Sequence, residues 1–274
     1  MNILYFGDVV GRAGREVLID NLPDIKKRLK ADFVVANGEN AAAGFGITEK
    51  IAESFYAAGV DCIVLGNHSF DQKEIMPYLS GDPRMLRPIN YPEGTPGRGA
   101  SAFKTRKGKN ILVVQVMARL YMDPLDDPFA AVDKVLKAGR LGSKYDAILV
   151  DIHGEITSEK MAMGQFCDGR ASMVVGSHTH VPTADAQIFP GGTAYQTDAG
   201  MCGDYNSVIG MDKEEPLRRF TKKIPGGRFT PALGPGTACG IFVKTDEETG
   251  LATYIAPVRV GGRLLENWPD PEKA

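Results

Sequence analysis

No two of the four cysteines, Cys62, Cys167, Cys202 and Cys239, stand close enough for a Cys-x-x-Cys pair, so the common sulfur-based metal and redox motifs are excluded. Cys62 falls inside an apolar, strand-like run, where a buried reduced thiol is expected, and the four together favour a reducing compartment, the cytoplasm. No apolar stretch approaches the roughly 18 residues of a membrane span. Met1 to Asp8 holds no basic leader region and meets an acid at once, so it reads as a first strand and not a signal peptide. Neither sign of charge is in excess: 32 basic residues against 34 acidic give a net charge of -2. Aromatic and basic residues are not interleaved either, so no extended nucleic-acid surface is evident, although a local basic groove stays open. Histidine is scarce as well, with four in 274 residues.

What is present describes a globular protein with a sizeable core: 43% hydrophobic and 24% charged residues. That length suits one large α/β domain or two small ones; with no repeat, low-complexity segment or linker, a single domain over 1–274 is expected. Short apolar runs at Ile3–Phe6, Phe33–Ala36, Cys62–Leu65, Ile111–Met117, Ala147–Val150 and Ala171–Val175 read as buried strands. Between them, helical spacing predicts helices over Glu16–Leu29, Thr48–Ala58 with Thr48 as N-cap, Asp126–Gly139 and Ser158–Gly164. Alternating strands and helices of this kind imply right-handed βαβ units and a sheet covered on both faces. Gly81 to Ala100, rich in Gly and Pro, reads as a long ordered loop or a crossing between sheets. Thr193–Thr197, Ala238–Val243 and Leu251–Pro257 suggest hairpins of a more antiparallel sheet, which leaves open a surface for homo-oligomer formation.

The scarce histidines all follow apolar runs: His68, His153, and the pair His178 and His180 in Gly-Ser-His-Thr-His. Asp8 and Glu39-Asn40 end two further strands, and Asn67 precedes His68. Open α/β sheets gather ligands at the carboxyl ends of their strands, so the fold would bring these scattered residues together. Mixed carboxylate, carboxamide and imidazole donors suit manganese, iron or zinc. Seven or eight such groups are too many for one ion, whereas two ions bridged by Glu39 use them sensibly. A two-metal site of this kind polarises a phosphoryl group and clamps the attacking and leaving oxygens. The bland alternatives are a turn or helix cap at Gly-Asp, an ordinary turn at Gly38-Glu39-Asn40, and a His-x-His pair that merely shares one side of a strand. Each is reasonable alone; the joint pattern argues for metal.

Gly7 to Arg15 holds three glycines but neither the Lys-Ser/Thr of a phosphate-binding loop nor the dinucleotide spacing. Its glycines read as room beside a metal. Arg12 or Arg15 either reaches a substrate phosphate or is a solvated arginine at a helix start.

Gly7-Asp8, Gly66-Asn67-His68, Asp151-Ile152-His153 and Gly176-Ser177-His178-Thr179-His180 stand in the order of the motif blocks of the calcineurin-like metallophosphoesterases, which the chain resembles over nearly its whole length. More narrowly it is similar to the bacterial YmdB-type branch, by Gly38-Glu39-Asn40, the Gly-Asp-Val start, and Thr197-Asp198-Ala199-Gly200-Met201 followed by Ser207-Val208-Ile209-Gly210. It departs from the wider superfamily at Val10, where a histidine is usual, and Asn40 is the natural substitute ligand.

The resemblance implies an αββα sandwich of two mixed sheets flanked by helices, with the site at the strands' C-terminal ends. It implies one metal on Asp8, Glu39, Asn40 and His180, and a second on Glu39, Asn67, His153 and His178, with iron or manganese ahead of zinc. His68 then stands over the substrate as general acid or phosphate contact, and Asp71 orients its ring. The implied activity is that of a dinuclear phosphodiesterase, in which a hydroxide bridging the metals attacks a cyclic nucleotide in line. The 2′,3′-cyclic kind, opened to the 3′-monophosphate, is the expected substrate. The alternatives are a phosphomonoesterase or protein phosphatase with the same metals, or a regulatory or RNA-associated protein that keeps its metals for structure.

Overall fold

A computed structural model describes residues 1–270 and Glu272. The first half of the chain runs β1 (Asn2–Phe6), β2 (Asp8–Val9), α1 (Gly11–Leu29), β3 (Phe33–Asn37), α2 (Glu49–Ala58), β4 (Cys62–Val64), α3 (Ile75–Gly81) and β5 (Met85–Leu86). It continues through β6 (Ala100–Lys104), β7 (Asn110–Met117), α4 (Pro128–Ala138), β8 (Ala147–His153), α5 (Thr157–Cys167) and β9 (Met173–Ser177). The last part holds β10 (Gln187–Ile188), β11 (Ala194–Gln196), β12 (Met201–Cys202), α6 (Glu214–Lys222), β13 (Ala238–Thr245) and β14 (Ala252–Val260).

Two six-stranded sheets form, ordered β14-β13-β1-β3-β4-β5 and β10-β11-β9-β8-β7-β6. In each, parallel strands occupy the centre and antiparallel strands lie at one edge or both, so both sheets are mixed. Alternation explains why the strands read as continuous apolar runs. Ile3, Tyr5, Val35, Val64, Val113, Leu149 and Val175 face a core between the sheets. Their neighbours Leu4, Phe6, Val34 and Ile63 pack outward with Leu18, Leu22 and Phe55 of α1 and α2. On the second sheet Val114, Ile148, Val150 and Val174 pack outward with Val132 and Met163 of α4 and α5. Side chains in a strand alternate by face, so a strand buried on both sides has no polar face to show. The architecture is the expected αββα sandwich.

Thr48 caps α2 as expected, its hydroxyl accepting from the Ile51 amide at 3.4 Å. Three local expectations change. Helix α1 begins at Gly11 instead of Glu16, so the glycine-bearing stretch is its first turn. A Cβ on Gly14 would stand 2.2 Å from the Cys202 carbonyl, so this glycine lets the helix lie directly against β12. Two helices, α3 and α6, lie outside the expected set. In α6 only Pro216 is buried, while Leu217 and Phe220 face solvent, so no core-facing stripe marks it. Finally, β11 makes both pairings, antiparallel to β10 and parallel to β9, and so extends the central sheet instead of only closing a hairpin.

Candidate metal centre

The C-terminal ends of β1, β3, β4, β8 and β9 converge, and each delivers a polar residue to one place. Asp8 sits in β2, which pairs in parallel with β12, Asp8 opposite Met201. That approach is tight: a Cβ on Gly7 would lie 1.7 Å from the Gly200 carbonyl oxygen. One Asp8 oxygen accepts from the His178 amide at 3.1 Å, and the other has no partner.

After β3 the chain turns with the Glu39 amide donating to Asn37 Oδ1 at 3.0 Å. Glu39 Oε2 accepts from the His68 amide at 3.0 Å. The Asn40 amide nitrogen is turned back to the Gly44 carbonyl at 2.9 Å, which leaves its Oδ1 facing the interior without a partner. Buried oxygens of Asp8, Glu39 and Asn40 thus all stand without a hydrogen bond. Such groups cost stability unless something compensates them, and a cation does so.

His153 Nε2 is the hub of the imidazole side. It lies 2.9 Å from Asn67 Oδ1, 3.0 Å from Glu39 Oε1 and 3.1 Å from His178 Nδ1. The Glu39 contact lacks hydrogen-bond alignment, since that oxygen has no hydrogen-bond partner. Donor atoms about 3 Å apart have the spacing of neighbouring ligands on one cation bonded at about 2.1 Å. The opposite ring nitrogen, Nδ1, is 2.9 Å from Ser177 Oγ, whose hydroxyl donates to Asp151 at 2.8 Å. That chain fixes the ring so that Nε2 points inward. Gly66 completes the cradle: a Cβ there would stand 2.3 Å from Glu39 Oε2 and 2.4 Å from His153 Nε2.

The electrostatics agree. Burial works against the His153 imidazolium, but Glu39, Asp8 and Asp151 outweigh it and raise its proton affinity. Burial likewise opposes the Glu39 carboxylate, and His153 holds its pKa down. Asp8 is pushed up by burial, with His180 and His153 acting against that. Asp151, also fully buried, rises to about 7. The field that holds a proton on His153 also attracts a divalent cation, which would replace that proton. His178 is held down to about 3 by burial and by the neighbouring His153 charge, so it presents a neutral ring. Glu39, His153 and His178 have donor atoms within 4.8 Å of one another, and the donor set fits a divalent ion.

His180 stands apart from that trio. Its Nδ1 donates to the Ile209 carbonyl at 2.8 Å, and its Nε2 faces Asp8 Oδ1 at 3.9 Å. Both histidines of the His-x-His motif have left-handed backbones, φ 93° at His178 and 66° at His180, a conformation costing about 1–3 kcal/mol each. Thr179 between them is tied through its amide (3.1 Å) and hydroxyl (2.7 Å) to Asp198 Oδ2.

His68 lines the same cleft, its Nδ1 2.8 Å from Asp71 Oδ2 and its ring edge-on to Phe45. The arginines go elsewhere. Arg12 is exposed and pairs with Glu16 at 2.7 Å, the solvated alternative for a helix-start arginine. Arg15 donates to the Ala41 carbonyl, pinning α1 to the Glu39–Asn40 turn, and neither arginine is among the residues lining the cleft. Three residues without an assigned role join the site. Glu155 Oε2 is 3.3 Å from His178 Nε2, Lys160 reaches the loop from beneath, and Asp198 receives Thr179. Asp198 stood in the Thr-Asp-x-Gly-Met segment; a lone lysine in α5 carried no signal at all.

With this geometry in hand, relatives are informative. A family model described as YmdB-like protein matches residues 4–258. The 2′,3′-cyclic-nucleotide 2′-phosphodiesterase of Bacillus subtilis (strain 168) is 45% identical over 260 residues, 95% of this chain and 97% of that protein. A hypothetical protein of Thermus thermophilus superposes with a TM-score of 0.89 at 44% identity, covering 96% of this chain and 100% of that one. A phosphatase of Mycoplasma pneumoniae gives the same TM-score, 0.89, at 31% identity, over 95% of this chain and 93% of that one. The family match and the near full-length identity agree with the motif blocks gathered at the strand ends: this chain belongs to the YmdB-like family.

Proposed function

We propose that the protein is a metal-dependent phosphodiester hydrolase that opens 2′,3′-cyclic nucleotides to 3′-monophosphates. The observation that carries this reading is the set of buried, unpartnered oxygens of Asp8, Glu39 and Asn40 gathered with His153, His178 and His180 at the floor of a cleft that Glu39, Asn40, His178 and His180 line. The Bacillus subtilis relative's name supplies the substrate class.

In this reading Asp8, Glu39, Asn40 and His180 would hold one cation, and Glu39, Asn67, His153 and His178 a second. Iron or manganese is preferred over zinc for a donor set so rich in oxygen. Cations bound there would supply positive charge that draws the phosphoryl oxygens and lowers the pKa of a water. The chain's own residues do the rest. Ser177 and the Ile209 carbonyl hold His153 and His180 in one tautomer each. Asp71 holds His68 Nδ1, leaving Nε2 to deliver a proton. Water attacks phosphorus and gives up one proton to solvent, the bond from phosphorus to the 2′ oxygen breaks, and that oxygen takes its proton from His68. Four buried, unpaired cysteines support a reducing, cytoplasmic setting. No helix among the described residues is long and apolar enough to cross a membrane.

A phosphomonoesterase is the second reading, favoured by the Mycoplasma pneumoniae neighbour being called a phosphatase. Protein loaded with Mn²⁺ or Fe²⁺ and offered 2′,3′-cyclic AMP beside p-nitrophenyl phosphate separates the two. The expected product is 3′-AMP, with little monoester turnover, and His178→Ala removes both activity and part of the bound metal. Intact cyclic AMP with brisk monoester hydrolysis would sink the first reading.

A further inference from the structure

The cleft that holds the imidazoles does not end with them. It encloses about 620 Å³, within the usual range of about 300–1,000 Å³ for small-ligand sites, and has two unlike ends. One carries Glu39, Asn40 and the histidines. The other is a wall from the segment 208–229, made chiefly of the side chains of Ile209, Met211, Phe220 and Phe229 with Arg219 and Lys223 among them, and no step of the hydrolysis uses those side chains.

That wall is largely apolar yet open to water: Phe220 is 70% exposed and Ile209 54%. A large aromatic left wet on a concave surface is a recognition feature more than a packing one. The wall is also held firmly. Glu215 bonds Arg219 at 2.7 Å and accepts from the Gly226 amide at 3.0 Å, while Arg219 lies 4.0 Å over the Phe229 ring and donates to the Gly227 carbonyl at 2.8 Å. Ile209 joins the two ends. Its carbonyl takes the His180 Nδ1 proton, its side chain lines the wall, and its φ of 47° is an outlier for a β-branched residue. Strain of that kind persists where surrounding structure imposes it, here between a proposed metal ligand and a binding face.

A ligand that fills such a cleft is anionic at one end and flat and apolar at the other. We propose that the 208–229 wall seats the nucleobase of the substrate, with Phe220 as the stacking ring, so that it sets the preference for nucleotides over base-free cyclic phosphodiesters. This rests on the phosphodiesterase reading above. Stacking on an aromatic side chain is tolerant of base identity, so purine and pyrimidine 2′,3′-cyclic nucleotides should both be accepted.

The test compares kcat/KM for 2′,3′-cyclic AMP with that for glycerol 1,2-cyclic phosphate, which has the same five-membered cyclic diester and no base. Wild type should favour the nucleotide, and Phe220→Ala should shrink that ratio by about ten-fold or more, mostly through KM, with Phe220→Tyr restoring it. Metal content and circular dichroism should match wild type in both variants. Equal losses on the two substrates, or an unmoved ratio, would overturn the proposal. So would light scattering that shows wild type as a dimer and Phe220→Ala as a monomer, since a second copy of the chain would then cover the wall. If wild type cleaves neither substrate, the phosphodiesterase reading itself fails and takes this one with it; activity on the base-free diester with no gain from the base fails this one alone.

Discussion

Lys160 Nζ lies 2.8 Å from Asp198 Oδ2 with both side chains buried, and the same ammonium donates to the Ser177 carbonyl at 2.8 Å. Asp198 in turn holds Thr179. The lysine therefore grips the His178–Thr179–His180 loop on both sides of its strained first histidine. Removing one partner of a buried pair leaves the other charge uncompensated, at a cost of about 3–5 kcal/mol. Lys160→Met should lose stability on that order in urea unfolding and lose most of its turnover. A variant with wild-type stability would show that the pair does not anchor the loop.

His68 and Asp71 are joined through Nδ1 at 2.8 Å, and His68 is outside the proposed ligand sets. His68→Ala is expected to lower kcat by about 10²–10⁴-fold while metal content stays at the wild-type level. Asp71→Asn, which keeps a hydrogen-bonding group but removes the charge, should fall between the two. Loss of metal from His68→Ala, measured by elemental analysis, would reassign that imidazole as a ligand.

Gly66 is the position where a single methyl does the most harm to the metal centre. Its Cβ would stand within 2.5 Å of Glu39 and His153 atoms, inside the space a cation needs. Gly66→Ala should retain its secondary structure, bind less metal and hydrolyse nothing measurable. Dialysis of wild type against a chelator should likewise lower its melting temperature, because a bound ion stabilises only the folded form. Full metal loading of Gly66→Ala would mean that the ions lie elsewhere.

Acid sensitivity is expected at Asp82, which is not part of the candidate metal centre. Burial pushes this carboxyl up, but the Arg84 amide at 2.9 Å and its guanidinium at 3.2 Å outweigh that and hold it below the usual carboxylate range. A depressed carboxyl stabilises the fold above its unfolded pKa, near about 3.9, and the contribution vanishes as pH falls through the lower folded value. Wild type should be more stable than Asp82→Asn at pH 7, and the gap should close below about pH 4. A gap that persists unchanged at pH 2.5 in urea titrations would contradict this.

Much of the fold was legible because alternation and strand ends are written in single residues. Ile3 to Phe6 and Phe33 to Ala36 are apolar on both faces only because sheets and helices sandwich them, and Asp8, Glu39, Asn67 and His153 stand where those strands stop. The missing parts are of two kinds. Helix α6 carries Leu217 and Phe220 at helical spacing, but that face is exposed to solvent and the Glu215–Arg219 pair braces the helix, so a search for core-facing stripes passes it over. Lys160 is unmarked because its role depends on Asp198 and Ser177, which come near it only after folding. Arg12 is a case that the sequence leaves open between a phosphate contact and a solvated arginine, and the structure pairs it with Glu16, one helical turn along.

The parallel pairing of Asp8 with Met201 gives the site a schedule. On the ribosome Asp8 emerges before any of the four histidines, whereas the strand that flanks it is made only after all four have been synthesised. Contacts that span so much sequence close late, after the local βα units have collapsed. A nascent or truncated chain ending before Met201 would carry all four histidines and still lack the flank that sets Asp8 among them. Completion of the candidate metal centre is thereby tied to completion of the chain as far as β12.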